Sequence, residues 1–234
     1  MISDLSDLKE LLKPHGLILR GVLAGSEVEE IHAAGDEFKA RQLVLVGNAG
    51  SAIWRPFNES PEFSDALANP LDRWSRRIGE DIAGQLGGRV IFPWEGPPYP
   101  PFLAWARASG QVFPSPVSMF VHREYGLWHA YRFALALPGS LGGIEHVPPA
   151  VSPCITCPQP CLAACPVDAF DSDGYQVDLC VDYLRADEKS ACRERGCAAR
   201  RVCPVGRAFS YEANHAQFHM AAFLKSRLLE SQIV

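Results

Sequence analysis

The stretch Cys154-Ile-Thr-Cys157-Pro-Gln-Pro-Cys161-Leu-Ala-Ala-Cys165-Pro166 places four cysteines at spacings of two, three and three residues. A proline follows directly after the fourth. A second group, Cys180, Cys192, Cys197 and Cys203, comes next and again ends on proline, Pro204. These are all eight cysteines of the 234-residue chain, and the first 153 residues contain none. That asymmetry predicts two domains, residues 1–146 and 147–234, joined by Leu137-Pro-Gly-Ser-Leu-Gly-Gly and Val147-Pro-Pro, which are rich in chain-breaking residues.

Runs of the form Cys-x2-Cys-x2-Cys-x3-Cys-Pro hold 4Fe–4S clusters, three cysteines binding one cluster and the fourth the other. In this chain the middle spacer is one residue longer. Exchange of the terminal cysteines gives a concrete expectation. Cluster one takes Cys154, Cys157, Cys161 and Cys203; cluster two takes Cys165, Cys180, Cys192 and Cys197. The second group has no internal Cys-x2-Cys, because Arg200 stands where a cysteine would complete one. Two oxidised clusters with eight thiolates sum to 2 × (2 − 4) = −4, about four negative charges to bury. Between Arg185 and Arg207 there are seven Lys or Arg against three Asp or Glu, a local excess of +4. Two four-cysteine zinc sites are the competing reading, but zinc ribbons present paired Cys-x2-Cys knuckles and this chain has one. Disulfides rank lower still. The expected module is a small bacterial-ferredoxin-like domain with two 4Fe–4S clusters, and its expected work is electron transfer.

Composition narrows the remaining classes. Hydrophobic residues make up 47% and charged residues 21%, as in ordinary globular proteins. No apolar stretch reaches the ~18 residues of a membrane helix, so no membrane partner is expected. The acidic, amphipathic start Met1-Ile-Ser-Asp-Leu-Ser-Asp is unlike a secretory signal, which predicts a cytoplasmic, reducing compartment. A formal charge of −5 gives no reason to expect nucleic-acid binding.

Residues 3–13 read as an amphipathic helix ending before Pro14. Leu17–Leu23, Leu43–Val46, Arg89–Phe92, Val117–Val121 and Tyr131–Leu137 read as strands. Asn69-Pro-Leu-Asp72 reads as a capped helix start, the helix continuing to Leu86; Tyr99–Ala108 and Tyr211–Leu229 read as further helices. Gly47-Asn-Ala-Gly50 reads as a turn. Strands separated by helices argue for an α/β sandwich over residues 1–140.

Eleven of the chain's 23 aromatics fall between Phe92 and Phe133. They make either an aromatic core or the wall of a pocket for a large flat cofactor. Within them, His122-Arg-Glu-Tyr125-Gly126-Leu-Trp128, with Ala130, Arg132 and Pro138-Gly139, resembles the His-Pro-x-aromatic-Gly-x-Trp segment of two families. One is the CblC-type cobalamin-processing proteins; the other is the epoxyqueuosine reductases, relatives of reductive dehalogenases. Arg123 replaces the proline of that segment and Leu127 the usual small residue. Cys180-Val-Asp-Tyr-Leu184, Gly196-Cys197 and Val202-Cys203-Pro204 are similar to the cluster segments of the reductase, and the Asn69 helix start to the CblC type.

The resemblance implies a nitroreductase-like α/β sandwich that binds a corrinoid, followed by the two-cluster domain that feeds it electrons. It implies an oxidoreductase acting in reductive decyanation, dealkylation or cobalt reduction, with His122, Tyr125, Gly126, Trp128 and Arg132 around a cobalamin; the chain has no Asp-x-His-x-x-Gly motif to supply a histidine to cobalt, so that cobalamin is expected base-off. Glu95, in Trp94-Glu-Gly-Pro97, stands roughly where the reductase carries an acid, so the resemblance makes it a proton donor; by itself it reads as an exposed loop glutamate. The expected partners are the corrinoid and an upstream electron donor, and a homodimer is compatible with the chain. A ferredoxin-type carrier without corrinoid and a flavin-dependent reductase remain the alternatives. His215 and His219 share one helical face with no third ligand beside them, as packing or cofactor-edge residues.

Overall fold

The apolar runs form the middle of a sheet. The computed structural model describes residues 2–25, 28, 38–144 and 150–230. Its strands are β1 (Ile18–Ala24), β2 (Gln42–Ala49), β3 (Arg89–Ile91), β4 (Val112–Pro114), β5 (Phe120–His122), β6 (His129–Leu137), β7 (Phe170–Asp171) and β8 (Gly174–Tyr175). Its helices are α1 (Leu5–Leu12), α2 (Trp54–Asn58), α3 (Pro61–Ser64), α4 (Pro70–Gln85), α5 (Phe102–Ala108), α6 (Pro160–Ala163), α7 (Val177–Ala186), α8 (Ala191–Arg195), α9 (Ala198–Arg201) and α10 (Ala213–Glu230). The fold is mixed α/β.

The chain divides into two compact units. The first comprises residues 1–111 and 129–150; the second comprises 112–128 and 151–234. The expected boundary after residue 146, with Val147-Pro-Pro, lies outside the described residues. Sequence reading had no signal for the excursion of 112–128 into the second unit.

The first unit holds a four-stranded sheet in the order β1-β2-β6-β3, every neighbouring pair antiparallel. All eight residues of β2 are buried, as the central position of an unbroken apolar run requires. Gly47, Asn48 and Ala49 continue β2 opposite Tyr131, Ala130 and His129, so the expected turn there is a strand end. A side chain at Gly47 would collide with the Ala130 carbonyl, which is why the residue is glycine. Helix α4 buries Leu71, Trp74, Ser75, Ile78 and Ile82, a stripe at helical spacing. Pro70 occupies its first turn as expected, but Asn69 at the N-cap sits in the left-handed region and its side chain makes no capping bond. Helix α5 begins at Phe102 instead of Tyr99, because Pro100 and Pro101 interrupt the start.

In the second unit β4 and β5 pair as a hairpin. The strand expected over Val117–Val121 begins only at Phe120, since Ser115 to Met119 make the reversal: Ser115 N–H donates to the Met119 carbonyl at 3.0 Å. The cysteines ride on short elements, with Cys161 on α6, Cys180 on α7 and Cys192 on α8. Cys197 stands at the N-cap of α9. Helix α10 begins two residues later than expected and packs on α8.

Candidate metal centre

Eight thiols and no disulfide occupy the second unit. Their electrostatics sorts them. Burial first, then negative charge at Cys203, Cys157 and Cys161, pushes the Cys154 thiol up. Burial, then Cys203 and Cys157, does the same to Cys161. The Cys203 thiol is also raised by burial and by Cys157, and is pulled back by the Val205 N–H and the Arg207 charge. In the other group burial raises Cys180, with Cys165 and Cys192 adding to it and the Tyr175 hydroxyl opposing. Cys197 is raised by burial, Cys192 and Cys180, against N–H groups of Arg200 and Ala199. Burial and Cys180 hold the Tyr175 hydroxyl far above its ordinary range.

Each raised thiol is thus raised by members of its own group of four: Cys154, Cys157, Cys161 and Cys203, or Cys165, Cys180, Cys192 and Cys197. The grouping crosses the sequence, since Cys203 joins the first run and Cys165 the second. Backbone donors also point at sulfur: Gln159 N–H lies 3.4 Å from Cys157 Sγ and Ala169 N–H 3.3 Å from Cys165 Sγ.

Cys161 and Cys203 of the first group are buried in an apolar cluster with Val117, Val121, Leu127 and Ala199, with Cys154 and, from the second group, Cys197 packed against it. The second lines a void of about 330 Å³, its opening to solvent included, with Val167, Phe170, Tyr183 and Met220 among the walls. Among the described residues no three or more His, Cys, Asp or Glu are gathered so as to hold a metal ion. The donor chemistry here, thiols in apolar walls with backbone N–H groups at Cys157 and Cys165, suits a sulfur-ligated metal centre.

The aromatic motif is welded to this lobe. Gly126 has φ +59, and a side chain on it would strike the Val205 carbonyl; Gly206 has φ +70 and faces the Tyr125 backbone in the same way. His122 and Gly126 exchange backbone hydrogen bonds of 2.8 and 3.0 Å. The His122 Nδ1 accepts from the Glu124 and Tyr125 N–H groups at 3.0 and 3.1 Å, so it organises the turn, and its ring stacks on Tyr125 at 4.3 Å. Tyr125 meets Phe209 edge-on. Trp128 is 2% exposed and packs with Tyr211 and Ala216; its indole N–H finds no acceptor among the described residues. Tyr211 stacks on His215 at 4.1 Å, and the His215 and His219 Nε2 atoms approach to 3.0 Å. That histidine contact had no sequence signal beyond the four-residue spacing.

Two expected site residues belong to the first unit. Arg132 donates through Nε to the Tyr131 carbonyl at 3.2 Å, and its charge opposes the rise that burial imposes on the Asp72 carboxyl. Glu95 accepts from Arg76 at 2.8 Å and from the Phe92 N–H at 3.3 Å, so its carboxylate is committed to an ion pair.

No family model matches the chain, and no curated protein matches it. Solved structures do. A Caenorhabditis elegans B12-trafficking protein CblC, a human MMACHC homologue, aligns at 11% identity and a TM-score of 0.51 over 91% of this chain and 88% of that one. Epoxyqueuosine reductase from Streptococcus thermophilus aligns at 15% and 0.48 over 88% of this chain and 67% of that one. The enzyme from Bacillus subtilis gives 16% and 0.45, over 90% and 68%. The likeness to CblC is one of fold; the other two are weaker. No helix among the described residues is long and apolar enough to cross a membrane.

Proposed function

We propose that this chain is an iron–sulfur electron-transfer protein whose two 4Fe–4S clusters serve a corrinoid. The observation that carries the reading is that Cys165, Cys180, Cys192 and Cys197 line one void while Cys161 and Cys203 are buried in one apolar cluster with Cys154 against it, as expected of a bacterial-ferredoxin-like module. Cys154, Cys157, Cys161 and Cys203 would hold one cluster; Cys165, Cys180, Cys192 and Cys197 would hold the other. When bound, the clusters supply electrons at low potential and the corrinoid supplies the cobalt chemistry.

The chain's own residues prepare the site. Apolar walls exclude water, and backbone N–H groups offset the charge of the sulfurs. Deprotonated thiols are required, so the raised thiols release protons on loading. The His122–Trp128 segment, and separately Arg132 of the first unit, are corrinoid-binding candidates by the resemblance of their sequence to CblC-type proteins. Glu95 would give a proton only after leaving Arg76.

A second reading, an electron carrier that docks a partner without corrinoid, is favoured by the burial of the motif. His122 is 5% and Trp128 2% exposed, so neither presents an open wall. Anaerobically loaded protein titrated with cobalamin separates the readings. A shift of the visible spectrum to the base-off form supports the corrinoid reading. An unchanged spectrum overturns it in favour of the carrier, and a yellow, fluorescent preparation in favour of a flavoprotein.

A further inference from the structure

Arg200 stands in the turn between Cys197 and Cys203, at the place where the second cysteine run lacks a further cysteine. Its backbone N–H faces the Cys197 sulfur. Its side chain turns the other way. Nε donates to the Leu127 carbonyl at 2.7 Å, and the guanidinium carbon lies 4.6 Å from the Trp128 ring centroid and 4.4 Å from that of Tyr211. A planar, delocalised cation fits between two ring faces as an ammonium does not. Among the described residues no carboxylate forms an ion pair with Arg200. The charge is permanent. Leu127, whose carbonyl holds it, is buried together with Cys161 and Cys203 of the first group.

We propose that Arg200 is a positioning residue that clamps the Leu127–Trp128 segment against the first thiol group and adds a permanent positive charge, alongside that of Arg207, favouring the reduced cluster there. The proposal rests on the reading of the thiol groups as cluster ligands. One electron from an external reductant adds to the cluster, no bond breaks, and the negative charge of the site rises by one. A nearby cation with no protein anion to neutralise it stabilises the more negative state. The backbone donor to Cys197 survives substitution of the side chain.

The test is a dithionite-poised titration of the full chain, loaded anaerobically and followed by electron paramagnetic resonance, with iron and sulfide measured alongside. Arg200→Gln lowers the reduced-to-oxidised ratio of one cluster about tenfold at fixed potential, equivalent to about 59 mV for one electron, and leaves the other unmoved. Arg200→Lys restores part of the loss. Should Arg200→Gln lose iron, Tyr211→Leu decides, since it keeps the charge and opens the clamp; it lowers the same ratio roughly threefold. Iron-replete variants that titrate like the wild type overturn the proposal alone. Wild-type protein that takes up no iron and sulfide overturns the cluster reading and this proposal with it.

Discussion

Replacing Gly126 by alanine tests the joint between the aromatic loop and the last cluster segment. At φ +59 the residue is in the left-handed region, where a side chain costs about 1–2 kcal/mol. The added methyl also falls on the Val205 carbonyl, a backbone atom that cannot rotate away. Overpacking of that kind costs about 1–3 kcal/mol. The sum centres on about 3.5 kcal/mol, which lowers the thermal midpoint of a chain this size by about 7–14 °C. Gly206→Ala meets the same contact from the other side, with φ +70. The double variant loses less than the sum, because one separation of the two backbones relieves both clashes. Gly84→Ala is the opposite-sign control. Nothing lies near its side-chain position and it stands in α4, so it gains about 0.5–1 kcal/mol. Anaerobic thermal unfolding, with bound iron measured before heating, reads all four. A Gly126→Ala protein within about 0.5 kcal/mol of wild type refutes the joint.

Cys203→Ser and Cys180→Ser each remove a ligand from a different group, so each cuts bound iron to about half, and the two together leave almost none. Either single variant losing nearly all of its iron would mean that the groups are not independent. Glu62 accepts two hydrogen bonds from Arg77, at 2.5 and 3.1 Å, which hold its carboxyl below the ordinary range. A depressed folded value stabilises above the unfolded value of about 4.3 and is lost as pH falls through the folded value. Glu62→Gln therefore flattens the loss of thermal stability at acid pH and costs no more than about 1 kcal/mol at pH 7; an acid limb of unchanged steepness contradicts it.

The strands were legible where apolar residues run without interruption. Leu43–Val46 is the heart of β2, and Tyr131–Leu137 nearly all of β6. The β2 extension through Gly47 was not legible, because Gly-Asn-Ala has turn composition and only the pairing partner, far along the chain, makes it a strand. The antiparallel order of the sheet was hidden for the same reason: helices between strands suggest crossovers, but pairing is decided by long-range burial. The crosswise assignment of the thiols is an expectation drawn from two cysteine–proline endings and an exchange rule, with Cys192 the position that the rule fixes least. The fate of the aromatic motif was not. Its residue types suit a pocket wall or a core equally, and only the interlock of Gly126 with Gly206 and the seat of Arg200 on Leu127 reveal that it packs on the cysteine lobe.

Protein purified without oxygen and assayed for metals and acid-labile sulfide tests the central claim most directly. Two cubes require about eight iron and eight sulfide per chain, with a broad visible absorption that bleaches on reduction. Zinc in place of iron, with no labile sulfide, would contradict the account.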